Sequence, residues 1–126
     1  NFLVVDLSRC LDIDSSATFD VATAGDLTVS NTILNCSETN IVENDEDTPD
    51  PWSVVEWFEG QAGNEQGVDP MLDGAFLPAD SMYLSGYECD PTIYEDGFFD
   101  DVDYIGAFRS RNSAWVWGWT EFNKDW

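Results

Sequence analysis

The sequence predicts a mainly β protein whose first part forms coils of a parallel β solenoid, and two observations support this class. Apolar and polar residues alternate over residues 3–7 and again over residues 27–34, which is the pattern of half-buried strands. When residues 3–10 are laid on residues 29–36, Cys10 aligns with Cys36 at an offset of 26 residues. That offset is typical of one turn of a parallel solenoid. The competing architecture is a compact β-sandwich, which the same strands could also form.

The pattern of the sequence changes several times after these coils. Asp50 is a good N-cap, Pro51 suits a first helical position and Gly60 ends an apolar run at near-helical spacing, which predicts a short covering helix over about residues 51–60. No low-complexity linker divides the chain, so we expect a single domain over residues 1–126. The expected segments are coils at 1–36, an acidic loop at 37–50, the helix region at 51–63, an irregular acidic segment at 64–103 and a C-terminal β hairpin at 104–122.

The charge balance excludes several classes of function. The chain has 26 acidic residues, 4 basic residues and no His, giving a formal net charge of −22. Such a surface repels nucleic-acid phosphates and anionic lipid, and no apolar run is long enough to insert into a membrane. The absence of His removes the usual general base and the Ser/His and Cys/His nucleophile pairs. We therefore predict no catalytic residue.

Three cysteines, Cys10, Cys36 and Cys89, allow one intrachain disulfide and leave one thiol free or paired elsewhere. None has the CxxC spacing of a redox or zinc site. The alignment of the two coils places Cys10 beside Cys36, so we expect this pair to be bonded. A bond between Cys36 and Cys89 is an open alternative.

A dense acidic cluster follows Cys89, and carboxylate oxygens are the ligands that Ca²⁺ prefers. Mutual repulsion among these carboxylates would be relieved by a bridging cation. Calcium is thus the one cofactor that the sequence indicates. The expected ligands are Asp90, Glu95, Asp96, Asp100, Asp101 and Asp103.

Three tryptophans share one face of the last predicted strand. Flat aromatic rings of this kind can stack on sugar rings, or they can pack against neighbouring protein, which is the more common role. The alternative carbohydrate site consists of Trp115, Trp117 and Trp119.

The string over residues 98–108, followed by Trp115 and by residues 118–120, resembles the C-terminal ending of a group of secreted bacterial proteins, many of them uncharacterised. Residues 27–34 resemble the last rungs of the right-handed parallel β-helices of the pectate-lyase-like type that precede this ending. The segments at 69–72 and 76–81 resemble the stretch that follows the final coil. The resemblance implies a right-handed parallel β-helix and an exterior location, and it carries over no catalytic residue.

The chain is short for this group, because many coils usually precede the ending and here only one or two are expected. A solenoid coil completes its core through its neighbours, so the open first coil should form an interface. The expected interface residues are Leu3, Val5 and Leu7.

These observations predict a non-catalytic extracellular structural or adhesive protein of a marine or salt-exposed bacterium. It would be secreted or held at the cell surface, and would be a fragment or subunit of a larger assembly. Its expected partner is itself, as an oligomer or filament, or an upstream β-helical polypeptide. The alternative function is the end portion of a carbohydrate-binding or carbohydrate-active β-helix protein, with polysaccharide as its ligand.

Overall fold

The computed structural model describes residues 1–43, 52–74, 77–79, 84–87, 95, 97–98 and 100–113. The chain divides into two compact units, one over residues 2–68 and one that contains Asn1 and the residues from 69 onward. The described elements of the first unit are β1 (Leu3–Val5), β2 (Arg9–Leu11), α1 (Ser16–Ala24), β3 (Ile33–Asn35), β4 (Thr39–Ile41), α2 (Val54–Glu59) and β5 (Glu65–Gln66).

The strands of the first unit form two small parallel sheets. One sheet has the order β1-β3-β5 and the other pairs β2 with β4. Leu3 lies opposite Ile33 and Arg9 lies opposite Thr39, which are both offsets of 30 residues, and Ile33 lies opposite Glu65 at an offset of 32. The order strand, strand, helix therefore occurs twice, and a third turn of chain begins at β5.

The parallel orientation agrees with the prediction, but the predicted register is wrong. The alignment at 26 residues places Leu3 opposite Val29, whereas the structure pairs Leu3 with Ile33. A shift by four residues keeps every side chain on its own face, so alternation alone cannot distinguish the two registers. Parallel pairing also differs from the antiparallel pairing that a β-sandwich requires of these segments.

Helix α1 is absent from the prediction, which treats residues 12–26 as a turn between strands. Ser15 precedes the helix in an extended conformation, and Gly25 ends it with a φ of 82° while its N–H donates to the carbonyl of Ala22. Phe19 and Ala22 face the core three residues apart. The Asp, Ser and Gly residues that suggest a turn are thus the flanks and the solvent face of a helix, stabilised by burial of Phe19.

Helix α2 begins later than predicted. Ser53 is the N-cap, with a φ of −125°, and its hydroxyl accepts a hydrogen bond of 3.1 Å from the N–H of Glu56. Asp50 and Pro51, the predicted start, lie outside the described residues. Gly60 ends the helix as expected.

The core of the first unit lies between the strands and the two helices. Phe19 packs against Trp52 with ring centroids 5.1 Å apart, and Trp52 lies 6.1 Å from Trp57. Val4 and Leu34 are register partners on the inner face of the β1-β3-β5 sheet. The buried residues of this cluster are Ile13, Phe19, Leu34, Ile41, Val54 and Phe58.

The described part of the second unit is mostly irregular. Ser85 and Tyr104 form an isolated antiparallel bridge, and the N–H of Ile105 donates to the carbonyl of Leu84 at 2.9 Å. Arg111–Ser113 forms a 3-10 helix, so the described half of the predicted hairpin, residues 104–113, has this bridge and no continuous strand. Residues 114–122 of that hairpin lie outside the described residues. In the part of the chain that is described, no helix is long and apolar enough to cross a bilayer.

Candidate functional site: the edge of the first coil

Strand β1 forms one edge of its sheet. The carbonyl of Phe2 accepts a hydrogen bond of 3.0 Å from the N–H of Ile33, and the N–H of Asp6 donates to the carbonyl of Asn35 at 3.2 Å. Because backbone groups alternate in direction along a parallel strand, Val4 also faces β3, while the N–H and C=O groups of Leu3 and Val5 face away from it. Among the described residues no strand pairs with that outer side of β1.

Apolar side chains surround this edge, although the chain as a whole is strongly acidic. Phe2 is 67% exposed and Leu7 is 55% exposed. Val4 packs against the core cluster, whereas Leu3 and Val5 are half-buried on the opposite face of the strand. The sequence predicts Leu3, Val5 and Leu7 as interface residues. The structure adds Val4, which lies beside Leu34 and extends the row of apolar side chains that faces the core.

The opposite edge of the sheet, formed by β5, is polar. The inner row runs from Val4 through Leu34 to Gln66, so it ends in a polar side chain. The Gln66 amide donates a hydrogen bond of 2.7 Å to the carboxylate of Glu59. The three-stranded sheet is thus apolar at its β1 edge and polar at its β5 edge.

A disulfide joins the first two coils. Cys10 in β2 is bonded to Cys36, with their Cα atoms 5.7 Å apart. This is the predicted pair, although the register of β2 and β4 places Asn40 rather than Cys36 directly across from Cys10. The side-chain oxygen of Asn40 instead accepts a hydrogen bond of 2.7 Å from the N–H of Cys36. Cys89, the alternative partner, lies outside the described residues.

Two asparagines, the buried Asn31 and the half-buried Asn64, connect the second coil to the third, and neither is among the predicted site residues. Asn31 has a φ of 50°, and its N–H donates to the carbonyl of Ala62 at 2.9 Å. The side chain of Asn64 accepts a hydrogen bond from the N–H of Thr32 at 3.1 Å and donates to the carbonyl of Val29 at 2.6 Å. The only signal in the sequence is an Asn close before each of the strands β3 and β5.

Gly63 lies directly against this asparagine pair. It has a φ of 70°, and a Cβ added there would lie 2.1 Å from Oδ1 of Asn31. Glycine is therefore required at this position both for its backbone conformation and for the close approach of the two coils.

Exposed carboxylates surround the first coil. Arg9 is its only basic residue, and one of its guanidinium nitrogens lies 3.9 Å from the Asp12 carboxylate. The protonated Asp14 carboxyl donates a hydrogen bond to the Asp12 carboxylate, and this bond, together with the negative charge of Asp12, raises the pKa of Asp14. The exposed acidic side chains of this rim are Asp6, Asp12, Asp14, Asp20 and Asp26.

The predicted calcium ligands are only partly described. Glu95, Asp100 and Asp101 are exposed, and Asp103 pairs with the Arg109 guanidinium at 2.5 Å. Over the described residues, no three His, Cys, Asp or Glu side chains form a group that could hold a metal ion. Asp90 and Asp96 lie outside the described residues, so the calcium site stays a prediction.

The tryptophans of the alternative carbohydrate site, Trp115, Trp117 and Trp119, also lie outside the described residues. That site and its polysaccharide ligand therefore stay predictions.

No family model, no curated protein and no solved structure matches this chain. The resemblance to secreted β-helix proteins therefore stays a prediction.

Proposed function

We propose that the protein is a non-catalytic extracellular structural or adhesive component that ends a right-handed parallel β-helix and assembles through the edge of β1. The observation that carries this proposal is the outer side of β1, which pairs with no strand among the residues that the structure describes and which lies next to an apolar inner row. Unpaired strand edges with apolar side chains recruit further strands. The partner would be another copy of the chain, in an oligomer or filament, or an upstream β-helical polypeptide.

The β-helix assignment is supported by the way in which successive turns of chain stack. Strands β1, β3 and β5 run parallel, and each turn returns to the same sheet after about thirty residues. The hydrogen bonds from Asn31 to Ala62 and from Thr32 to Asn64 continue this stacking just outside the strands. A solenoid coil needs a neighbour on each side to bury its inner row, and β1 has a described neighbour on one side alone.

The extracellular location is supported by the disulfide and by the charge. Disulfides persist in oxidising compartments, and Cys10 and Cys36 are bonded. A net charge of −22 is best tolerated where salt screens it, as it would at the surface of a marine bacterium.

Two proline variants test assembly through β1. The N–H of Leu3 faces away from β3, so Leu3→Pro blocks the edge without removing a hydrogen bond inside the sheet. Gln66→Pro is the matched control, because the N–H of Gln66 faces away from β3 at the polar edge. Circular dichroism must first show that both variants keep the wild-type fold.

Sedimentation velocity at micromolar concentration is the measurement, in about 0.15 M and about 1 M NaCl, where the Debye lengths are about 8 Å and 3 Å. We expect the wild type and Gln66→Pro to associate at the higher salt concentration, where repulsion between acidic rims is screened, and Leu3→Pro to remain monomeric. A wild-type monomer in both buffers that also binds none of the strand peptides described below would refute the proposal. Equal loss of association in both variants would indicate head-to-tail stacking of β5 on β1, because that arrangement uses both edges of the sheet. Loss in Gln66→Pro alone, with Leu3→Pro still associating, would refute the assignment to β1.

A further inference from the structure

The edge of β1 also specifies the kind of strand that fits it, and this inference depends on the proposed function. We infer that β1 receives a parallel, apolar strand from a coil with a neutral or basic rim, and that a second copy of this chain is not its natural occupant. Three features of the first unit indicate this occupant: the backbone direction at β1, the charges around β1 and the polarity of β5.

The backbone of β1 offers four groups to an incoming strand, namely the N–H and C=O of Leu3 and of Val5. Parallel pairing there would repeat the arrangement of β1 on β3, in which every second residue supplies both groups. The side chain opposite Val4 would continue the row formed by Val4 and Leu34, so it must be apolar. Side chains beside Phe2 and Leu7 would cover the two exposed apolar residues at the ends of the strand.

The rim around this edge selects against acidic partners. Within the first coil, residues 2–29, five Asp side chains are exposed and Arg9 is the sole cation. Residues 2–5 of the edge itself carry no charge. Charge complementarity across an interface chiefly sets partner choice and association rate, and like charges placed together oppose binding. A coil with Lys or Arg in its loops is therefore favoured over one with acidic loops.

A second copy fits poorly for two reasons. Stacked head to tail, it would place Glu65 and Gln66 of its polar edge on Leu3 and Val4. Stacked head to head, it would bring two identical acidic rims together. The polar β5 edge opposes the first arrangement, and repulsion between the acidic rims opposes the second. An apolar strand with basic flanks has neither disadvantage.

Three synthetic peptides of about seven residues, a typical strand length, test the inference on the full wild-type chain. The first has alternating Val and Thr at its centre and Lys at both ends. The second has the same centre with Glu at both ends, and the third is the Lys peptide with a central Pro that prevents strand pairing. Binding is measured by NMR titration and by hydrogen exchange of the Leu3 and Val5 amides, with the Val4 amide as an internal control because it already faces β3.

We expect the Lys peptide to protect the Leu3 and Val5 amides and to bind about tenfold more tightly than the Glu peptide in 0.15 M NaCl, with a smaller ratio in 1 M NaCl. The Pro peptide should not bind. A spin label on the N-terminal end of the Lys peptide should broaden signals near Phe2 if pairing is parallel, and near Leu7 if it is antiparallel.

The outcomes separate this inference from the proposed function. Equal binding of the Lys and Glu peptides, or antiparallel pairing, would overturn the inferred partner while leaving assembly at β1 supported. Tight self-association of the chain in 0.15 M NaCl that excludes the Lys peptide would also overturn the inference, since a second copy would then be the preferred occupant. Absence of binding by every peptide, together with a monomeric chain, would overturn the proposed function itself.

Discussion

Removal of the Cys10–Cys36 bond should destabilise the first unit by an amount that follows from the length of the loop it closes. The two residues are 26 apart in sequence. For a loop of that size, the loss of chain entropy in the unfolded state predicts a stabilisation of about 3.5 kcal/mol at 25 °C. A loss of this size should lower the melting temperature of a unit as small as residues 2–68 by roughly 14–28 °C.

The double variant Cys10→Ala/Cys36→Ala, made in a Cys89→Ser background, tests this value by urea and thermal unfolding. The Cys89→Ser protein is the control for the background substitution, and its reduced form separates loss of the bond from loss of side-chain packing at Cys10. Reduction of the Cys89→Ser protein should by itself give most of the loss of stability that the double substitution causes. Hydrogen exchange should increase most in α1 and β3, because both lie inside the closed loop.

The pairing itself must be mapped with a suitable protease. Trypsin leaves all three cysteines on a single peptide, since no Lys or Arg lies between Arg9 and Arg109. Cleavage at acidic residues separates them, because Asp residues lie between Cys10 and Cys36 and Glu38 follows Cys36. Identical unfolding midpoints for the oxidised and reduced proteins, or a mapped bond to Cys89, would refute the reasoning.

The remaining predictions concern local packing, pH and calcium. Gly63→Ala should destabilise the protein by more than the roughly 1–2 kcal/mol of left-handed strain expected for Gly25→Ala, which has open space around the added Cβ, and urea unfolding measures the difference. The raised pKa of Asp14 means that its stabilising contribution is complete at low pH and is lost as pH rises through the folded-state pKa. Asp14→Asn should therefore melt at a higher temperature than wild type at pH 7 and show little difference below pH 3.8, whereas an unchanged difference across this range would contradict the Asp12–Asp14 interaction. Ca²⁺ should raise the melting temperature above that in EDTA at matched ionic strength if the acidic segment 90–103 binds it, and identical midpoints would leave only general screening.

The sequence predicts the parallel strands and the disulfide but not the register, for a physical reason. Period-two alternation determines which side chains face the core and says nothing about shifts by an even number of residues. Contacts distant in sequence do distinguish such shifts, as the hydrogen bonds of Asn64 with Thr32 and Val29 do between the second and third coils. Cys10 and Cys36 still bond because they meet diagonally at the turn between β3 and β4.

The candidate site, too, is only partly predictable from the sequence, because part of it depends on residues that are distant in the chain. The apolar character of residues 2–7 is visible in the sequence, and it led to Leu3, Val5 and Leu7. Which backbone groups remain unpaired depends on the partner strand, so the particular role of Val4 required the structure. Helix α1 has a weak local signal, because six of its nine residues are weak helix formers, and its buried Phe19 contacts Trp52, which is distant in sequence.

The second coil is two residues longer than the first, and the difference lies in one segment of the coil. The first strands of each coil begin six residues before the second strands, at Leu3 and Arg9 and again at Ile33 and Thr39. The extra two residues of the second coil therefore fall in the arc that contains the helix, between β4 and β5. A protein built in this way can change the length of its helical arc without disturbing strand pairing, as long as the core residues of the helix, Val54 and Phe58, are kept. That arc is accordingly the place to insert an affinity tag or a displayed peptide, and the two-strand part is the place to leave unaltered.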